Sequence, residues 1–270
     1  MKILVTNDDG VRAEGLHALV KELSKVAKVT VIAPESERSA IGTAVTLLKS
    51  LHVKEMEPIA PGVATYAVNG MPGDCVILGL GKLVPKVDLV VSGVNPSLNL
   101  GEDVYISGTV GAAMQGFFRG LPAMAVSAAH PERDRLSKNG LQTASKSGLQ
   151  TAAEVAAKLA AKMDGPKPQK IFLNVNVPDI PFPRLNGVRL TRLARSSHIN
   201  TVEEEGEGAL KQYRLVRVRL DSTEEGSDVQ AIEQGYVSLT ALYTSLLDKP
   251  PQKFLNKLCS ELERELKAKN

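Results

Sequence analysis

A β-branched run, a helical stripe and a second β-branched run follow one another at the start of this chain, and few folds accept that order. Lys2 to Thr6 reads as a short strand, Gly15 to Lys25 as a helix and Val29 to Ala33 as a second buried strand. Leu16, Leu19, Val20 and Leu23 recur at the helical period and make one stripe that covers a sheet. This is a βαβ unit, and the crossover rule makes its strands parallel and its connection right-handed. The alternation continues. Strands are predicted at Thr65 to Val68, Val87 to Val91, Ala123 to Ser127 and Lys170 to Val177. Helices are predicted at Asp74 to Leu80, capped by Asp74, at Thr109 to Phe118 and at Leu149 to Met163. Strands this apolar belong to a parallel sheet covered on both faces.

Beyond Val177 the pattern changes. Pro178, Pro181 and Pro183 interrupt it, a Glu-rich loop is read at Glu203 to Glu207, and Leu210 to Leu220 interleaves apolar and basic residues like a hairpin arm exposed on one face. Phe254, Leu255, Leu258, Leu262 and Leu266 form a terminal amphipathic helix. The chain thus divides into a core over 1–180 and a C-terminal arm, hairpin and helix over 181–270. The arm and helix either meet a second subunit or pack on their own. Pro131 to Ser147 is polar, and Gly-Leu-Gln-Thr-Ala occurs at both Gly140 to Ala144 and Gly148 to Ala152, too short an echo for a solenoid.

Composition removes several classes of function. With 43% apolar and 23% charged residues the chain is neither disordered nor fibrous. No apolar run reaches the roughly 18 residues of a membrane span. A net charge of +3 over 270 residues argues against a nucleic-acid polymer as partner. The first apolar stretch is too short for a signal-peptide core and runs into two acids, so a cytoplasmic protein without membrane attachment is expected. Cys75 and Cys259 are too few and too isolated for a disulfide framework or a zinc site.

Asp8-Asp9 is the sharpest chemical signal. Two adjacent carboxylates at the end of a buried strand repel, burial raises the cost of ionising both, and a cation removes the conflict. In open parallel sheets ligands bind outside the carboxyl ends of the strands, which is where Asp8 and Asp9 fall. An Asp-Gly turn with a helix cap explains the same pair without any ligand. Two further loops fall on that edge: Pro34 to Ala40, which contains Ser39, and Ser92 to Gly101, which contains Asn95 and Asn99. Oxygen donors with no His or Cys nearby favour Mg²⁺ or Mn²⁺ over zinc. Ser107-Gly108-Thr109 opens a helix with small residues, where backbone N–H groups and the helix dipole favour an anion. Capping alone also accounts for Thr109. A cation site and an anion site on one edge point to phosphate-ester chemistry. The chain has no P-loop, no dinucleotide fingerprint and no Gly-x-Ser-x-Gly elbow. His17, His52, His130 and His198 form no ligand-spaced cluster.

Taken together, Asn7-Asp8-Asp9-Gly10, Ser39 after Pro34-Glu35, Ser92-Gly93-Val94-Asn95 and Ser107-Gly108-Thr109-Val110-Gly111-Ala112-Ala113 resemble the SurE family of survival proteins, metal-dependent 5′(3′)-nucleotidases. The resemblance extends through Gly70 to Val76, Asn174 to Pro178, Asp228 to Ala231 and Gly235 to Thr240. It implies a Rossmann-like three-layer α/β/α fold with a mostly parallel sheet, and a C-terminal arm exchanged within a homodimer or homotetramer. It also implies one divalent metal ion per subunit, Mg or Mn, held by Asp8, Asp9, Ser39 and Asn95. The chain departs from the family pattern at Ser97, Met71 and Ala241.

The expected activity is hydrolysis of nucleoside 5′-, and also 3′-, monophosphates to nucleoside and phosphate. Asp8 and Asp9 are the catalytic carboxylates, a metal-activated water is the nucleophile, and Asn99, Ser107, Gly108 and Thr109 hold the phosphate. Two alternatives remain open at this point. An aspartate could itself attack phosphorus, or the chain could be a nucleotide-binding regulatory module with little or no catalysis.

Overall fold

In the computed structural model the described residues are 1–129, 146–165, 170–195, 198–205, 211–219, 224–242 and 251–268. Most of the polar segment Pro131 to Ser147, the first Gly-Leu-Gln-Thr-Ala copy and His130 lie outside them. β1 (Lys2–Thr6), α1 (Glu14–Leu23) and β2 (Lys28–Pro34) form the expected βαβ unit, with β1 and β2 parallel. There follow β3 (Val53–Met56), β4 (Ala64–Val68), α2 (Pro72–Leu78) and β5 (Leu89–Asn95), then α3 (Gly108–Phe118), β6 (Ala123–Ala128), α4 (Lys146–Met163) and β7 (Phe172–Val177). The remaining elements are β8 (Val188–Thr191), β9 (His198–Glu205), β10 (Gln212–Arg219), α5 (Asp228–Glu233), β11 (Val237–Ala241) and α6 (Gln252–Lys267).

Nine strands join one sheet in the order β3-β4-β2-β1-β5-β6-β7-β11-β8. The run from β4 to β7 is parallel. β3 pairs antiparallel with β4 at one edge, and β11 turns antiparallel to β7 near the other. The stretch 181–270 therefore supplies two strands of this sheet, β8 and β11, while β9 and β10 pair only with each other.

Alternation along the strands sorts the core into two layers. Ile3 and Val5 of β1 face α1, α4 and α6, whose Leu16, Leu19, Leu149, Leu159, Leu258 and Leu262 are buried there. Leu4 faces α2 and α3, with Val76, Val110, Ala113 and Phe117. The small residues of α3 bring it down onto the sheet: a Cβ at Gly116 would come within 2.6 Å of the Val90 side chain. The fold is thus a three-layer α/β/α sandwich.

Four local expectations need correction. α2 begins at Pro72, so Asp74 is its third residue and not its cap; proline tolerates that start because the first helical N–H has no acceptor anyway. The Asp74 carboxylate instead accepts from the backbone N–H groups of Met71 and Thr46, each at 2.8 Å. The strand predicted to stop at Val91 runs on to Asn95. Gly93, at φ +136°, allows this, since a Cβ there would come within 2.3 Å of the Val126 carbonyl oxygen. Helix α3 starts one residue early and is capped by Ser107, not Thr109, with Ser107 Oγ accepting from Val110 N–H at 3.1 Å. Of the loop read at Glu203 to Glu207, Glu203 to Glu205 lie in strand β9, where Glu203 and Glu204 pair with Arg214 and Lys211 across the hairpin, and 206–207 lie outside the described residues.

Candidate active site

Strand order locates the site. From β1 the chain winds outward to β2 and β4 on one side, then returns to β5 and winds outward to β6 and β7 on the other. The switch between β1 and β5 opens a crevice at the carboxyl ends of the strands, where doubly wound sheets take their ligands. Asp8 and Asp9 follow β1 directly, and Asn95 is the last residue of β5.

Asp8 is at the centre of the arrangement. It is buried, and Thr109 donates its hydroxyl to Oδ1 at 2.5 Å. Gly108 is packed so tightly on the same side chain that a Cβ there would come within 2.8 Å of Asp8 Cβ and Oδ2. The Asp8 carbonyl oxygen accepts from Arg38 N–H at 2.6 Å, which ties the loop after β2 to the loop after β1. Gly10, at φ +99°, lets the two loops touch; a Cβ there would lie 3.2 Å from the Ser36 backbone. Burial pushes the Asp8 carboxyl up to about 6; hydrogen bonds from Thr109 oppose the rise, and the negative charge of Glu37 adds to it. Burial disfavours the charged form of this carboxyl, and a cation bound beside it would favour that form.

The other sequence-predicted residues fall as follows. Asp9 is half-buried beside Asp8. Ser39 is exposed and donates its hydroxyl to Glu37 Oε1 at 2.7 Å, which leaves its lone pairs for another contact. Asn95 donates its amide N–H to the Ser97 carbonyl, so its side-chain oxygen is the end remaining for a cation. Ser107 accepts as a cap and keeps its own proton to donate. Thr109, expected to hold phosphate, has its hydroxyl on Asp8. Asn99 is held on three sides: its N–H donates to Asn176 Oδ1 at 2.8 Å, its carbonyl accepts from Asn174 and Asn176, and its amide donates to Ser127 Oγ at 2.8 Å.

Sequence reasoning passed over Glu37, Ser127, Asn174 and Asn176 as site residues. Two asparagines spaced i, i+2 in an otherwise apolar strand were the available signal, since both point to one face. A metal fits the donor chemistry. Among the described residues no group of three or more His, Cys, Asp or Glu gathers. The candidate set is two carboxylates, a hydroxyl and an amide, all hard oxygen donors. Asn7 Oδ1, beside the acidic pair, is also buried with no hydrogen-bond partner.

Fold and strand order define a class: a doubly wound α/β protein with an acidic pair at its switch point, Asp8 abutting a helix N-terminus. Comparison with known proteins narrows that class. The family model described as Survival protein SurE matches residues 3–200. A protein named 5′-nucleotidase SurE from Dehalococcoides mccartyi is 45% identical over 254 residues, covering 93% of this chain and 91% of its own. One of the same name from Pelobacter propionicus is 38% identical over 259 residues, covering 94% and 98%. The crystal structure of the SurE protein from Aquifex aeolicus superposes with a TM-score of 0.74 at 30% identity, covering 95% of this chain and 98% of that one. The chain belongs to the SurE family. Among the described residues no helix is long and apolar enough to cross a membrane.

Proposed function

We propose that this chain is a divalent-metal-dependent phosphomonoesterase that releases phosphate from nucleoside 5′-monophosphates, and from the 3′-isomers. The observation that carries the reading is the seat of Asp8: a buried carboxylate wedged between the end of β1 and the first turn of α3. A carboxylate and a helix N-terminus in contact suit a cation and a phosphate that share oxygens. The name 5′-nucleotidase, shared by the relatives, supports the same reading.

Asp8, Asp9, Ser39 and Asn95 would hold one Mg²⁺ or Mn²⁺ per subunit. When bound, such an ion supplies an acidified water and withdraws charge from the phosphoryl group. The chain's own residues do the rest. Thr109 orients Asp8 and keeps it toward its ionised form. Asp8 or Asp9 orients the attacking water and takes up its proton. The Ser107 hydroxyl and the Gly108 N–H at the helix start donate to the phosphate, with Asn99 as a further holder, and stabilise the charge that grows as the ester bond breaks.

A nucleotide panel crossed with a metal panel, on protein stripped with EDTA, tests the reading. Phosphate release that depends on added Mg²⁺ or Mn²⁺ supports it. No release from any nucleotide with any divalent ion would leave a nucleotide-binding module instead. The arm supports a second element of the proposal, assembly into a homodimer or homotetramer. Val202 and Leu215 are paired across β9 and β10, and they and Tyr213 are exposed. A two-stranded hairpin with a bare apolar face is marginal alone in water.

A further inference from the structure

The motif from Asp228 to Ala231 has no part in the chemistry above, yet its first residue is fully buried. Asp228 Oδ2 accepts from Gly101 N–H at 2.8 Å. Its Oδ1 accepts from Ala194 N–H and from its neighbour Val229 N–H, each at 2.9 Å. Gly101 opens a short 3₁₀ helix that ends at Tyr105, and the Asp103 carbonyl in it accepts from Ser107 N–H at 3.1 Å. Asn99 lies two residues before Gly101 on the same loop. Ala194 lies between β8 and β9, at the root of the arm. A small separate core joins the same parts: Leu98 and Leu100 of the loop pack with Val229 and Ile232 of α5 and with Ala194.

We propose that Asp228 is a positioning residue that sets the phosphate-holding loop and couples it to the root of the arm. One carboxylate binds both segments, so neither moves without straining the other. An ionised carboxylate serves because both oxygens must accept, and no neutral side chain of this size offers two acceptors. The inference rests on the phosphate role proposed for Asn99 and Ser107.

Asp228→Asn separates the two halves of the clamp. The amide oxygen retains the two donors on the Oδ1 side and turns an NH₂ toward Gly101 N–H, donor against donor. The expected result is a KM for AMP raised about tenfold, the loss of one charge-assisted bond, with kcat altered about twofold or less. Mn²⁺ affinity, measured by calorimetry without nucleotide, stays at the wild-type value. Ser227→Ala is the control. It removes the α5 cap, where Ser227 Oγ accepts from Gln230 N–H at 3.2 Å, and leaves the Gly101 contact in place. Amide hydrogen exchange over 96–107 gives a readout independent of activity: faster in Asp228→Asn, unchanged in Ser227→Ala. An unchanged KM and unchanged exchange in Asp228→Asn would overturn the proposal, as would equal effects from the two variants. A wild-type chain inactive on every nucleotide would instead remove the functional reading, and the exchange comparison would still decide the clamp.

Discussion

Asp8 and Asp9 are adjacent in sequence and differ in what surrounds them. Asp8 is buried and held by Thr109, while Asp9 is half-buried and closer to solvent. Asp9→Ala is expected to fold normally and to lose more than about a hundredfold in phosphate release, since losing a cation ligand exceeds the effect of losing one transition-state donor. Release from AMP by variant and wild type, both freshly dialysed against Mn²⁺, checks it. Thr109→Val keeps the volume and deletes the donor to Asp8. The Thr109 hydroxyl holds the carboxyl down alongside backbone donors that valine keeps, so losing the hydroxyl alone moves the midpoint upward from about 6, read by NMR titration of metal-free protein. Because the folded value lies above the ordinary 3.8, this group stabilises the metal-free fold below that pH, and the contribution is lost as pH rises through about 6. Urea unfolding of EDTA-treated protein at pH 4 to 7 should show that loss, smaller where Mn²⁺ is present. The acidic pair and the hydroxyls were legible in the sequence because their chemistry is local. That Thr109 serves Asp8 was not, because the two lie 101 residues apart.

The first turn of α3 shows how an element serves the site against its own propensity. Alanine is favoured over glycine inside a helix by about 1 kcal/mol. Gly108→Ala should nevertheless destabilise by about 1–3 kcal/mol, because its methyl would meet the Asp8 side chain. Unfolding midpoints in urea and Mn²⁺ affinity are expected to fall together. Periodicity revealed β1, α1 and α4 because each has an apolar stripe or run of its own. It did not reveal β3, whose Val53-Lys54-Glu55-Met56 is a polar edge, or β11, where Ser238 and Thr240 sit in an apolar strand. The Thr191 hydroxyl meets Ser238 at 2.9 Å and Thr240 at 2.7 Å from β8, a pairing no window of sequence displays. Asp228 reaches Gly101 across 127 residues for the same reason.

At the scale of the molecule, one sheet gathers turns from most of the chain while the hairpin stands apart from it. Leu215→Glu places a charge on the apolar side of that hairpin. It is expected to shift the protein to a smaller species in analytical ultracentrifugation, whereas a chain monomeric from the outset would be unaffected. The two-way winding from β1 leaves the turns after β1, β2 and β5 at the carboxyl ends of neighbouring strands, the edge that the apolar strand pattern of the sequence implies. Whether the turns after β1, β2 and β5 share one ion is the question on which the rest depends. Crystals grown or soaked with manganese answer it by anomalous scattering. A single strong peak bordered by Asp8, Asp9, Ser39 and Asn95 is the expected result; a map with no peak beside Asp8, or with its peak elsewhere, would contradict it.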